Sequence, residues 1–241
     1  MHIRRVTRSD DPAIPAFGRL QNAVYFEPDM LIPAQYIAQM LEMEDAGERR
    51  NVLLLAENDE GEVIGGSIFH YLASAETGFS SFLGVARSAR GQGVARALHG
   101  ARWAALQEVS GGRCRAVFID VVNPQRESHE QQTQEAAAGS NALERRQRFH
   151  ALGFRTVDLP YVQPVGGENG GPVTDMDLLA YLPGDPATLP TALAGATMQA
   201  YWTPWLGRRR AEQEARKLEA GAHGQPEVAL LPAWEGPKSR A

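Results

Sequence analysis

The chain has 241 residues, a formal net charge of −5, 43% apolar and 22% charged residues, the composition of an ordinary folded domain rather than of a disordered chain. An acidic protein is a poor match for sequence-independent binding of DNA or RNA, whose affinity comes from neutralising phosphates, so no nucleic-acid partner is expected. The single cysteine, Cys114, excludes an internal disulfide framework; no apolar run reaches the ~18 residues of a membrane helix, and Met1-His2-Ile3-Arg4-Arg5 has no apolar stretch behind it, so a cytoplasmic protein without a membrane partner is expected.

Residues 2–7 read as a short strand leading to a helix capped by Ser9 or Asp10. Ile14, Phe17, Leu20 and Val24 recur at helical spacing, and a second helix begins near Pro33 with Tyr36, Ile37, Met40 and Leu41. Three strand-like runs follow, 52–57, 63–72 and 79–85, the first two joined by the turn sequence Asn58-Asp59-Glu60-Gly61. From Gly93 the pattern is helical again until Ser110-Gly111-Gly112, where glycine supplies a left-handed cap. Residues 116–122 are apolar on both faces, as in a central strand, with Asp120 as the exception. Residues 124–140 are polar and read as a mobile or loosely helical insertion. A charged helix then spans 141–152 and closes at Gly153, and 154–157 and 176–182 read as the last two strands. Residues 183–206 read as a helical extension ending in Tyr201-Trp202-Thr203-Pro204-Trp205, and 207–241 as a flexible charged tail.

The most informative segment is the glycine-rich turn between the 79–85 strand and the helix after it, Arg87-Ser88-Ala89-Arg90-Gly91-Gln92-Gly93-Val94-Ala95-Arg96. A helix N-terminus presents unpaired N–H groups and the positive end of the macrodipole, and glycine lets an anion approach the backbone. A triphosphate loop would need Lys-Ser or Lys-Thr after the glycine, which is missing; a dinucleotide fingerprint begun at Gly91 and Gly93 meets Arg96 in its third glycine slot. An R-x-x-G-x-A turn is filled at every position by Arg90, Gly93 and Ala95.

The segment Arg90–Leu98 resembles the acetyl-CoA pyrophosphate motif of the GNAT superfamily of N-acyltransferases, and Phe149-His150-Ala151-Leu152-Gly153-Phe154 is similar to that family's second motif. The resemblance covers residues 1–182 and implies an α/β (α+β) fold: a mixed, mostly antiparallel, twisted sheet flanked by helices, here with a C-terminal extension. It implies an acetyl-CoA-dependent N-acetyltransferase in which a primary amine of a small molecule or peptide attacks the thioester through a tetrahedral intermediate. Acetyl-CoA is then a cosubstrate and no metal is needed; the six histidines show no ligand spacing. A homodimer is the commonest assembly for such a chain.

By that resemblance Gly91, Gln92, Gly93, Val94, Ala95 and Arg96 hold the pyrophosphate, Leu83, Gly84 and Val85 pair with the pantetheine arm, and Phe149 belongs to the CoA site. Arg87, Arg90 and Asn123 are candidate CoA contacts, with solvated loop arginines and a turn-forming Asn-Pro as the alternatives. A base must take the amine's proton. Asp120, alone in an apolar strand, is the first candidate, with a raised pKa expected from burial; its alternative is a strand-end hydrogen bond to a loop. His70 follows, then Glu76; packing is the alternative for His70. The family's second motif often supplies a tyrosine that protonates the leaving thiolate, but Phe149 has no proton to give. That departure leaves His150, Tyr161 or water as the proton source, or a CoA-binding regulatory protein with little turnover. Tyr25 and Tyr161 are candidates for the acceptor side.

Overall fold

The computed structural model describes residues 1–25, 31–43, 48–165 and 170–238. In chain order the elements are β1 (His2–Val6), α1 (Ala13–Val24), α2 (Ala34–Glu42), β2 (Arg49–Glu57), β3 (Val63–Leu72), β4 (Thr77–Val85), α3 (Val94–Ser110), β5 (Val117–Val122), α4 (His129–Ala137), α5 (Ala142–Ala151), β6 (Phe154–Val157), β7 (Met176–Tyr181), β8 (Thr188–Pro190), α6 (Thr191–Leu206), α7 (Arg208–Ala220) and β9 (Glu227–Pro232). Among the described residues the strands form one sheet in the order β1-β2-β3-β4-β5-β7-β6-β9-β8, antiparallel at every pair except β4–β5.

The pleat sends alternate side chains of β2 to opposite faces. Leu53 and Leu55 pack with Ile14, Phe17 and Ile37 of α1 and α2, whereas Val52 and Leu54 pack with Leu98 and Leu106 of α3. A third cluster joins Phe79, Phe118 and Leu178 to Met198 and Trp202 of α6 and Leu218 of α7. Both faces of the sheet are therefore covered, as the expected mixed α/β fold requires. No helix among the described residues is long and apolar enough to cross a membrane.

Several expectations are revised. Residues 207–241 are not a loose tail over the part described: α7 buries Ala211, Ala215 and Leu218, and β9 completes the sheet between β6 and β8. The extension 183–206 is not helical throughout, since β8 precedes α6; the strands 154–157 and 176–182 are thus not the last. The 124–140 segment holds an ordered helix, α4, whose Ser128 accepts from the Gln131 backbone while the Gln131 side chain accepts from the Ser128 N–H. At α1 the cap is Pro12 rather than Ser9 or Asp10; Asp11 Oδ1 accepts from Ala13 N at 2.9 Å.

Candidate active site

The site begins where the sheet opens. β4 and β5 pair at Gly78↔Val117 and Phe79↔Phe118, and no ladder joins them beyond that point among the described residues. Ile68 and Phe69 of β3 pair with Phe82 and Ser80, so Ser81 is an extra residue in β4. Such a bulge bends its strand and re-aims side chains. Buried Arg102 donates from Nη1 to Ser80 Oγ at 2.7 Å, while Ser81 Oγ lies 2.8 Å from His70 Nε2, so the bulge is held from both faces. Ser81, Phe82 and Leu83 consequently line one cavity together.

Two cavities fill the opening and share Tyr25, Phe82, Leu83, Arg145 and Phe149. The smaller, about 450 Å³, is bounded by Gly84, Val85, Gly91, Gly93, Val94 and Ala95 at the start of α3, and its charged lining is Arg90, Arg96, Arg145 and Arg148. Gly93 caps α3 at φ +81° with no side chain bonded to the first amides, leaving the N–H groups of the first turn to a ligand. Burial and the neighbouring guanidinium groups of Arg148 and Arg87 lower the pKa of Arg90, a crowd of positive charge that an anion would relieve. Donors of this kind fit a diphosphate.

The larger cavity, about 560 Å³, has mainly apolar walls, among them Ile32, Met40, Ile119, Val121, Met176 and Trp205. Polar groups on β3, β4, β5 and α6 face one another across it, and Gln39, Arg49, Arg145 and Gln163 stand elsewhere in its wall. Asp120 of β5 accepts from the Tyr161 hydroxyl at 2.9 Å, and burial raises its pKa to about 6 against the opposing effect of that hydrogen bond. His70 is wholly buried; desolvation first, then the Arg49 charge, hold it well below the ordinary histidine range. Its Nδ1 lies 2.8 Å from Asn51 Oδ1, and Ser81 Oγ is 3.1 Å from the Tyr201 hydroxyl.

The opening thus gathers Asp120, His70, Leu83, Gly84, Val85, Arg90, Gly91, Gly93, Val94, Ala95, Arg96, Phe149 and Tyr25 in the cavity walls. Other candidates stand apart. His150 meets the Trp234 ring at a tilt of 55°, centroids 4.2 Å apart, and lines neither cavity. Tyr161 reaches the site only through Asp120. Asn123 is buried, donating to Asp177 Oδ2 at 2.8 Å and capping the turn at Gln125. Arg87 donates to Ala137 O at the end of α4, Gln92 to Ser88 O, and Glu76 faces Arg113 and Arg115. Sequence reasoning missed Ser81, Tyr201, Arg145 and Arg148. Tyr201 stood in a noted aromatic cluster, but nothing local tied it to a strand 120 residues earlier.

A search of curated proteins returns no match. Among solved structures, a GNAT-family protein from Bacteroides thetaiotaomicron is similar at TM-score 0.53, covering 86% of this chain and 99% of its own at 14% identity. One from Desulfovibrio desulfuricans gives 0.50 over 75% and 98% at 16% identity. An aminoglycoside 6'-N-acetyltransferase complexed with coenzyme A gives 0.49 over 76% and 97% at 18% identity. The first two likenesses are of fold. Residues 15–130 match the model of the acetyltransferase (GNAT) family, which spans the strands, bulge and glycine turn that build the cradle. The match identifies residues 15–130 of this chain as an acetyltransferase (GNAT) family segment.

Proposed function

We propose that this chain transfers the acetyl group of acetyl-CoA to a primary amine of a small molecule or peptide. The observation that carries the reading is the pair of cavities of opposite chemistry that meet at Phe82, Leu83 and Phe149 between the parted strands. The amides of Val94, Ala95 and Arg96, with Arg90 and Arg148, would hold the pyrophosphate, and the free edge of β4 at Leu83–Val85 would take the pantetheine arm as an added strand. The thioester then lies against Phe82 and Leu83, and the amine occupies the chamber that contains Asp120. The N–C bond forms first, giving a tetrahedral intermediate, whose collapse breaks the C–S bond. The amine's proton passes to Asp120 and on to water, and CoA departs as the thiolate. Holding both partners in one cavity wall is the main contribution to rate, with proton removal adding about 10²–10⁴-fold.

The test combines calorimetric titration of acetyl-CoA, CoA, NADH and ATP with thiol release over a panel of benzylamine, spermidine, lysine, kanamycin and an alanyl tripeptide. Expected are binding of the CoA ligands only, its loss in Gly93→Trp, and thiol release with at least one amine. Binding of NADH or ATP in place of CoA would overturn the reading. A second reading, a CoA-binding protein with little turnover, is favoured by Phe149, which packs edge-on against Phe154 and offers no proton to a leaving thiolate. Tight CoA binding with no thiol release from any of these amines would favour it.

A further inference from the structure

The acceptor chamber contains a hydrogen-bond chain whose direction follows from its fixed end. Asn51 Nδ2 donates to Met40 O at 2.9 Å, and Asn51 Oδ1 accepts from Arg49 Nε at 3.2 Å, so the amide has one orientation. Its oxygen also lies 2.8 Å from His70 Nδ1 and can only accept, which puts the imidazole proton on Nδ1. A neutral His70 must then accept at Nε2, so Ser81 donates to it and the Ser81 oxygen is left to accept from Tyr201. The Tyr201 proton is thereby committed to Ser81. Its lone pairs remain for a donor from the chamber, which Tyr201, Ser81, His70 and Asp120 all line.

We infer that Tyr201 is an acceptor for the substrate's ammonium group alongside Asp120, with Ser81, His70 and Asn51 acting as positioning residues that turn its hydroxyl. The inference rests on the acetyl-transfer reading and extends it: α6, which lies outside the family-matched segment 15–130, contributes to the amine site. The ring is held for this task. It stacks on Phe79 with centroids 3.6 Å apart, meets Trp205 edge-on at 4.8 Å, and lies under the Arg49 guanidinium at 5.4 Å. The Tyr201 phenol does not ionise in the working range: burial, and the Asp120 charge after it, push its pKa well up. A neutral phenol that donates to Ser81 accepts an N–H of R–NH₃⁺, and it becomes a donor to the chamber only by giving up the Ser81 bond or by reversing the chain at the cost of the His70–Asn51 bond.

The experiment has two arms on the full-length protein. Long-range ¹H–¹⁵N spectra of histidine-labelled protein, with the His70 signal assigned through His70→Gln, are expected to show the Nδ1–H tautomer, unchanged between about pH 5.5 and 8. An Nε2–H tautomer, or titration inside that window, overturns the chain. In the second arm, thiol release is followed with the fastest amine of the panel. Tyr201→Phe is expected to raise the amine KM about tenfold while the acetyl-CoA KM stays put. Ser81→Ala is expected to do the same, and the double variant to be no worse than Tyr201→Phe alone, because both changes remove one device. An unchanged amine KM in Tyr201→Phe, or full additivity in the double variant, overturns the role. Absence of thiol release by the wild type with the expected tautomer overturns the acetyl-transfer reading and leaves the chain's direction intact, so the two failures are distinguishable.

Discussion

Asp120 is the residue on which chemistry and stability make opposed demands. A carboxylate in a desolvated strand favours its protonated form, and its pKa near 6 leaves it ionised, and still basic, at neutral pH. As the proposed base, it must be deprotonated, so kcat/KM is expected to rise with pH through about 6, and Asp120→Asn to lower it by about 10² or more across the range. A pH–rate profile of the wild type without an acid limb near 6 would count against that role. The stability effect follows from linkage. The folded pKa lies above the unfolded one, so folding is penalised only where the unfolded carboxylate is ionised, a penalty that grows from about pH 4 and is complete above about pH 6. Asp120→Asn is therefore expected to melt higher than wild type at pH 7.5, with the gain vanishing near pH 4; thermal unfolding at the two pH values checks it. Asp120 was legible in the sequence because one acid interrupts an apolar run. The hydroxyl groups of Ser81 and Tyr201 were not, since serine and tyrosine occur everywhere and only their meeting across β4 and α6 brings them to the site.

At the scale of elements, the C-terminal segment is a structural member. Arg146 of α5 is fully buried and donates to Ala233 O at 2.5 Å, Glu235 O at 2.9 Å and Thr156 Oγ1 at 2.9 Å, while pairing with the buried Asp177 at 2.8 Å. One guanidinium thus ties α5, β6, β7 and the chain after β9 together. Asp177 keeps Arg126 as a second cationic partner, but Ala233 O, Glu235 O and Thr156 Oγ1 lose a buried donor along with the ion pair, so Arg146→Ala is expected to cost on the order of 3 kcal/mol. A chain ending at residue 206 keeps Arg146 but deletes two of its acceptors, along with α7 and β9, and is expected to lose cooperative unfolding. A wild-type melting transition in either variant, measured by circular dichroism, would show the segment to be dispensable. The charge-rich sequence from Gly207 reads as a tail because α7 shows a narrow apolar stripe of Ala211, Ala215 and Leu218, too small to stand out by composition. The strand β9 has pairing partners 70 or more residues earlier in β6, and no local pattern announces a partner that distant.

Over the whole molecule, charge is unevenly distributed. The chain is net acidic, yet the charged side chains that bound the smaller cavity are four arginines. Binding of an anionic ligand there should depend on salt in proportion to the ion pairs formed. The affinity for CoA is expected to fall by several-fold between 50 and 300 mM NaCl, and the salt slope to shrink in Arg90→Gln and Arg148→Gln; a slope unchanged in both variants would place the phosphates elsewhere. The sequence alone specified the cradle, because a strand, a glycine turn of positive φ and a helix start are local events decided by neighbours in the chain. The anion-binding role proposed for Gly91, Gly93 and the arginines around them rests on their spacing. The acceptor chamber depended on long-range pairing: a bulge at Ser81, a histidine oriented from β2, and an aromatic residue brought from α6 onto the face already occupied by Phe79. These contacts follow from packing free energy summed over the folded sheet, and only the tertiary structure decided which residues would meet.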